Sequence, residues 1–302
     1  MRHDTAGDPI TGLKWTKKTT EKIADQLCLL EINVCPNTVG KLLKQLGYSL
    51  RVNHKNISSS GPERDEQFQY LAAIRDRLMT EGVPVISVDT KKKELIGNFH
   101  NKGTTWEQSP VQVNDHDFRS SADGLAAPYG IYDIKNNRGF VCVGTSYDTP
   151  EFAVSSIEKW WCEEGRYNYP EEKKLLILAD AGGSNGWRPR AWKYNLQKNM
   201  SDRYGIEITV CHFPAGASKW NPIEHRLFSE ISKNWAGRPL TCFDTVVNYI
   251  QTTSTVKGLT VEACLVTRQF EKGVKISDEQ MEQINIIKHS TLPKWNYTIR
   301  PS

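Results

Sequence analysis

Val85-Ile86-Ser87-Val88-Asp89-Thr90 is a short apolar run that ends on a carboxylate, and Leu175-Leu176-Ile177-Leu178-Ala179-Asp180 repeats the pattern. Both have the length and composition of a strand buried on its two faces. Packing explains an acid at the tip of such a strand poorly. In open α/β sheets, chemistry collects outside the carboxyl ends of the strands. A third acid, Glu224, stands in Trp220-Asn221-Pro222-Ile223-Glu224-His225. Three clustered carboxylates repel one another unless cations lie between them. Their hard oxygens suit Mg²⁺ or Mn²⁺, and two such ions can clamp both sides of a phosphodiester displacement.

Glu224 also has a plain structural explanation. Asn221 has the character of an N-cap, Pro222 fits the first helical position, and Glu224 falls at N3, as in a capping box. Periodicity argues that capping is not its whole role. Counted from Ile223 at about 100° per residue, Leu227, Phe228, Ile231 and Trp235 form one apolar face, and Glu224 falls inside it. A carboxylate there points towards the sheet.

Working outward, 302 residues suffice for two domains and one sizeable core. With 38% hydrophobic and 25% charged residues, the chain has a globular rather than a disordered composition. Its apolar runs are too short to span a bilayer, and no signal peptide is visible at the polar N-terminus, so neither a membrane partner nor export is expected. Seven cysteines without close CxxC pairs point to reduced thiols and a cytoplasmic setting. Cys211-His212 lacks a second ligand pair at zinc spacing and reads as a buried strand end.

The net charge of +4 is unevenly placed. Residues 1–60 hold nine Lys/Arg against five Asp/Glu, and the rest of the chain balances at 30 against 30. A basic N-terminal module beside a neutral body suggests a polyanion, most simply nucleic acid, and the chain as a whole points to double-stranded DNA as the partner. Helices are expected over 19–31, with Ile23, Leu27 and Leu30 on one face, and over 37–46, with Val39, Leu42, Leu43 and Leu46 on another. The short turn between them suits a helix-turn-helix. Thr38, Lys41 and Lys44 would line the outer face of the second helix, with Arg51 and Lys55, beside His54, as backbone contacts. An ordinary helical hairpin gives the same pattern.

The expected organisation is a helix-turn-helix module over 1–57, a linker and helix over 58–82, a catalytic core over 83–238 with an insertion at 97–127, and a helical extension over 239–302. Within the core the order is strand, hairpin (130–134 and 139–144), helix, strand, helix, strand, helix. This is the pattern of a ribonuclease H-like α/β domain with a mixed sheet and helices on both faces, although order alone leaves other α/β folds open. Its first and fourth strands would be neighbours, bringing Asp89 beside Asp180.

Weaker constellations remain. Ala181-Gly182-Gly183-Ser184-Asn185-Gly186 resembles a phosphate-cradling loop without the Lys-Ser/Thr of a P-loop, and reads as a tight turn. Asp117, in Asp115-His116-Asp117, and Asp133 are second-tier acids. His212 and His225 flank the loop of the third acid, and each has a hydrogen-bonded structural role as its simpler explanation. Trp160, Trp161, Trp187, Trp192 and Trp220 read as core or rim, with base stacking as the alternative for one of them.

Taken together, Val88 through Glu94, Asp115-His116-Asp117-Phe118, Pro128 through Asp133, Asp180 through Gly186 and His212 through Phe228 resemble the Rhodopirellula-type DDE transposases, insertion-sequence enzymes distantly similar to the mariner-like superfamily. Asn221-Pro222-Ile223-Glu224 is a mark of the wider group. The resemblance runs from about residue 8 to the end. It implies a ribonuclease H-like core whose acidic triad is Asp89, Asp180 and Glu224, binding two Mg²⁺ ions, with Mn²⁺ as a substitute. It further implies cleavage and strand transfer of element ends, and self-association on DNA. Family members usually carry a further DNA-binding region upstream, so a truncated copy or one product of a split reading frame is expected. Ala181 stands where an acid-glycine run often continues with Gly, which stiffens the turn. Two alternatives stand beside this reading: a non-catalytic DNA-binding relative acting as a repressor, and a ribonuclease H-like nuclease or resolvase.

Overall fold

The chain divides into two units, Met1–Ile57 and Ser58–Ser302. The computed structural model describes residues 5–7, 14–16, 18–50 and 62–302. In the first unit, β1 (Thr5–Gly7) and β2 (Lys14–Thr16) pair antiparallel. Helix α1 (Thr20–Cys28) begins at Thr19, whose hydroxyl accepts the Lys22 amide at 3.3 Å. Helix α2 (Pro36–Gln45) has proline in its first turn, where no amide donor is needed. Ile23, Ala24 and Val39 form the seam between them, with Leu27, Val34 and Leu43 packed around it. Leu30, Leu42 and Leu46, placed by periodicity on the apolar faces, are exposed. Two short helices share only a narrow seam, and the ends of each stripe run past it. Arg51 and Lys55 lie outside the described residues.

The second unit opens with α3 (Pro62–Thr80), which leads into β3 (Val85–Thr90), β4 (Glu94–Ile96), β5 (Gly124–Asp133) and β6 (Arg138–Gly144). Then comes α4 (Pro150–Trp160), prolonged by a π-helical turn (Trp161–Gly165) and α5 (Arg166–Asn168). Strand β7 (Lys174–Ala179) is followed by α6 (Arg190–Asn195), a π-helical stretch (Leu196–Ser201) and α7 (Asp202–Tyr204). After β8 (Glu207–His212), a π-helical turn (Glu224–Phe228) runs into α8 (Ser229–Asn234). The chain finishes with α9 (Phe243–Gln251), β9 (Thr260–Val266), α10 (Asp278–Glu282), β10 (Ile286–Lys288) and β11 (Asn296–Ile299).

The strands form one mixed sheet in the order β10-β11-β8-β7-β3-β5-β6-β9, with β4 paired to β5. Strands β3, β7 and β8 run parallel, while β3, β5 and β6 form the antiparallel side. This is the expected ribonuclease H-like sheet, with β3 and β7 as neighbours. On one face, Ile86, Val88 and Ile177 pack with Phe152 and Ile157 of α4, Trp192 of α6 and Leu196 of the π-helical stretch that follows it. On the other, Leu71 and Ile74 of α3 cover Val85 and Leu178, and Leu227, Ile231, Val246 and Ile250 cover Val141 and Val143.

The helical extension expected over 239–302 is corrected: β9 and β11 are integral strands of the sheet, and only α9 and α10 are helices there. In β9, Val261 and Ala263 are buried between exposed Thr260 and Glu262, a period-two pattern too short to compete with the strong helical period of α9. All four residues of β11 are buried. The insertion at 97–127 is shorter than expected, because Gly124 to Ala127 already belong to β5. Pro128, inside β5, keeps its carbonyl as an acceptor, and that carbonyl takes the Lys91 amide at 2.9 Å.

Two glycines let the Glu224 segment approach the sheet. A Cβ on Gly130 would lie 2.5 Å from the Phe228 ring and 2.9 Å from Ile223 Cδ1, and one on Gly139 would lie 2.5 Å from Leu227 Cδ1. Gly130→Ala is therefore expected to lower the unfolding free energy by about 1–3 kcal/mol, the usual cost of overpacking. Gly182→Ala, where an added Cβ meets nothing within 4 Å, should change it by less than about 0.5 kcal/mol. Urea unfolding of the two variants checks the contrast.

Candidate active site

The parallel register pairs Val88 with Ala179. The next residue on each chain is an acid, so Asp89 and Asp180 leave adjacent strand ends side by side. Asn221, fully buried, ties the third segment to them. Its Nδ2 donates to Asp180 Oδ1 at 3.0 Å, and its Oδ1 accepts from the Ser87 hydroxyl. Ser87 Oγ in turn accepts the Ile223 amide at 3.1 Å. Asn221 does stand at the N-cap position before Pro222, but its side chain caps no helix amide. It is a clamp between β3, Asp180 and the start of the Glu224 turn, whose first amide is held by the Asn221 carbonyl at 3.1 Å.

The three acids sit in one another's field. Burial, the Asp180 carboxylate, and then Glu224 and Asp148 push the Asp89 carboxyl up to about 8, against the opposing Thr90 amide at 2.8 Å. Burial and Asp180 also raise Glu224, with His225 and Lys91 opposing. Nearby lysines pair with other acids. Lys91 Nζ lies 3.2 Å from Glu94 and 4.4 Å from the Trp235 ring centroid, and burial lowers its pKa. Lys93 lies 3.5 Å from Asp148.

Two adjoining clefts open here. One, of about 970 Å³, is lined by Asp89, Asp148, Asp180, the 181–186 loop and Arg188. The other, of about 830 Å³, is lined by Glu224, His225, Asp117 and Lys102. Lys91, Lys92 and Ser218 line both. The oxygen-only donor set suits a hard divalent cation. Among the described residues, however, no three His, Cys, Asp or Glu side chains gather into a group that could hold a metal ion. The expected metal centre is therefore not a closed cluster in this structure. Asp89 and Asp180 share a cleft wall, and Glu224 faces the neighbouring cleft.

The second-tier residues separate clearly. Asp133 is 1% exposed and accepts from Tyr169, Asn136 and Lys135 at the β5–β6 turn, near the opposite end of β3 from Asp89. Asp117 is exposed in the second cleft, and His225 is held to the Lys219 carbonyl. His212 is fully buried, and burial lowers its pKa to about 4, so it is neutral. One tautomer satisfies its whole surroundings: Trp192 Nε1 donates to Tyr297 Oη at 2.9 Å, Tyr297 donates to His212 Nε2 at 3.3 Å, and His212 Nδ1 donates to the Asp180 carbonyl at 3.0 Å. His212 braces the backbone of Asp180 from below. Trp160, Trp161 and Trp192 are core, whereas Trp220 is 46% exposed.

The sequence offered little to single out Asp148, which precedes the Thr149 cap of α4 and accepts from Thr90 at 3.1 Å. Asn185, 1% exposed in the wall of the first cleft, was hidden inside the glycine loop.

The sequence profile of the Rhodopirellula transposase DDE domain matches residues 1–301. The chain belongs to this family. Among curated proteins no sequence matches it. Solved structures similar to this DDE transposase family member include a Mos1 transposase paired-end complex with left transposon end (TM-score 0.46, 13% identity, 77% of this chain and 65% of that one). Others are Mos1 mariner paired-end complexes with Mg (0.45, 12%, 77% and 65%) and with Mn (0.43, 13%, 77% and 65%). The transposase domain thus spans a little under two thirds of the length of those Mos1 chains. No helix among its described residues is long and apolar enough to cross a membrane.

Raised carboxyls give the fold a pH signature. An unfolded Asp titrates near ~3.9, whereas Asp89 is pushed up to about 8. Folding therefore favours its protonated form. That contribution is complete below the unfolded value and is lost as pH rises through about 8. The loss begins above the unfolded value, so in chelator-treated buffer Asp89→Asn should melt above wild type by a wide margin at pH 8.5 and by much less at pH 5. Equal melting curves at both pH values would contradict the shift.

Proposed function

We propose that this chain is a DNA transposase that cleaves element ends and transfers strands, with Asp89, Asp180 and Glu224 as its catalytic acids. The single observation that supports the reading is the placement of these acids: Asp89 and Asp180 follow paired residues of adjacent parallel strands, and Glu224 follows Asn221, whose amide donates to Asp180. Membership of a transposase DDE family supports the reaction class.

The three carboxylates are the residues that would hold Mg²⁺ or Mn²⁺, which, when bound, neutralise the phosphodiester and activate the attacking oxygen. The protein's own contribution is positional. Asn221 orients Asp180 through its amide, Gly130 and Gly139 seat the Glu224 turn, and His212 fixes the Asp180 carbonyl. Lys91 and Lys92, shared between the clefts, and Lys93, in the wall of the first, provide a cationic rim for the phosphate backbone. Joining two DNA ends requires two catalytic units, so self-association on DNA belongs to the same proposal. The cytoplasm, at the nucleoid, is the proposed site of action.

The test is Mg²⁺- or Mn²⁺-dependent cleavage of DNA bearing the element's own ends. Asp89→Ala, Asp180→Ala and Glu224→Ala should each reduce cleavage by about three orders of magnitude or more while sparing DNA binding, because the ligands act as a unit. Glu224→Gln keeps the volume and removes the charge. Wild-type activity in the Glu224→Gln variant would remove Glu224 from the site. The open arrangement of the acids favours a second reading, a DNA-binding relative without cleavage. A wild-type chain that binds its ends but cuts nothing with either metal would establish that alternative.

We assign DNA contact to the N-terminal unit as well, in a helix-turn-helix role for α1 and α2. Lys41 and Lys44 are exposed on α2, with Thr38 half-buried beside them. Replacing both lysines by alanine should weaken binding about uniformly across sequences and lower the slope of log affinity against log salt by about 2. Binding isotherms at several salt concentrations measure this. An unchanged slope would move the unit from DNA to protein contacts.

A further inference from the structure

Asn185 is 1% exposed, and neither its Nδ2 nor its Oδ1 has a hydrogen-bond partner. It is held in the wall of the cleft that contains Asp89 and Asp180. Buried amides are nearly always paired, and an unmet one is destabilising. Its surroundings are built closely. Gly183, at φ +76°, lies near the amide, so that a Cβ there would sit 3.9 Å from Oδ1. Beyond Asn185, an added Cβ on Gly186 would press on the Ala181 carbonyl at 3.0 Å. The neighbouring Ser184 hydroxyl meets Thr90 at 3.4 Å, and Thr90 donates to Asp148 at 3.1 Å. The loop thus pairs Ser184 and leaves Asn185 with one donor group and one acceptor for something in the cleft.

That pairing constrains the ligand. A continuous DNA backbone presents phosphate and sugar oxygens that only accept. Along the backbone, as distinct from the base edges, the place that offers an acceptor and a donor together is a cut strand end: a phosphate oxygen to receive Nδ2–H, and a 3′-hydroxyl to donate to Oδ1. We propose that Asn185 is an end-binding residue that recognises the 3′-hydroxyl terminus of a cleaved strand and holds it beside Asp89 and Asp180. The inference rests on the transposase reading and adds to it the residue that distinguishes a cut end from an uncut strand. Gly182 and Gly183, exposed and without side chains, leave the mouth of the loop free for the strand to approach.

The experiment compares two fluorescent duplexes that carry the element's terminal sequence and a recessed 3′ end, one ending in a 3′-hydroxyl and the other in a 3′-hydrogen. Binding is measured with Ca²⁺ in place of Mg²⁺ to suppress turnover. Wild type should bind the hydroxyl end about fivefold to tenfold tighter, the usual worth of one such hydrogen bond. Asn185→Leu should bind both ends equally. It should melt no lower than wild type, since an apolar group of similar shape replaces an unmet amide. Asn185→Ser, smaller and less prone to misfolding, should also lose most of the discrimination. Equal wild-type affinity for the two ends would overturn the inference. So would discrimination that persists in Asn185→Leu together with a lower melting temperature, the signature of a structural amide satisfied by internal water. A wild type that discriminates between the ends but cleaves nothing would leave this inference standing and remove the catalytic one. Cleavage without discrimination would do the reverse.

Discussion

Everything at the candidate site depends on the parallel pairing of β3 with β7. Because Val88 and Ala179 stand opposite each other, the chain has no freedom to separate the acids that follow. Two carboxylates at the end of a dry sheet are held against their mutual repulsion by the backbone ladder and the core beneath it. Burial first, and the Asp180 carboxylate next, push the Asp89 carboxyl up to about 8. The structure compensates part of this locally. Asn221 gives Asp180 a donor, the Thr90 amide gives Asp89 another, and His212 secures the Asp180 carbonyl without adding charge.

Much of this was legible in the sequence because it rested on strong local signals. The two apolar runs named their strands, and the order of elements named the mixed sheet. The apolar face of Ile223, Leu227, Phe228 and Ile231 appears in the structure as a buried surface. What could not be read were partnerships made at long range. Asn221 has the profile of a cap until Ser87, 134 residues away, is placed beside it. His212 has the profile of a titratable side chain until Tyr297 and Trp192 surround it. The C-terminal strands carry too few residues to show a period, and only pairing with a finished sheet makes them strands. Asp117 and Asp133 illustrate the converse: an acid in a suggestive tripeptide is solvated, and an acid in a suggestive strand anchors a turn.

The three candidate acids also differ in how they are placed. Asp89 and Asp180 belong to the sheet, whereas Glu224 opens a π-helical turn lodged over Gly130 and Gly139. π-Helical turns concentrate at functional sites because the extra residue re-aims a side chain at modest cost. Glu224 stands in the second cleft, which shares Lys91, Lys92 and Ser218 with the cleft of Asp89 and Asp180.

Strand β11 has an implication beyond the site. It lies between β8 and β10, and so covers the flank of β8 with residues from far downstream in the chain. A chain interrupted before residue 296 would leave β8 as an open edge of apolar Ile208 and Val210, with free backbone donors and acceptors along its length. Such an edge is a template for pairing with another copy. Loss of the last strand would therefore do more than remove Tyr297 from beneath Asp180: it would turn a finished sheet into one inclined to aggregate.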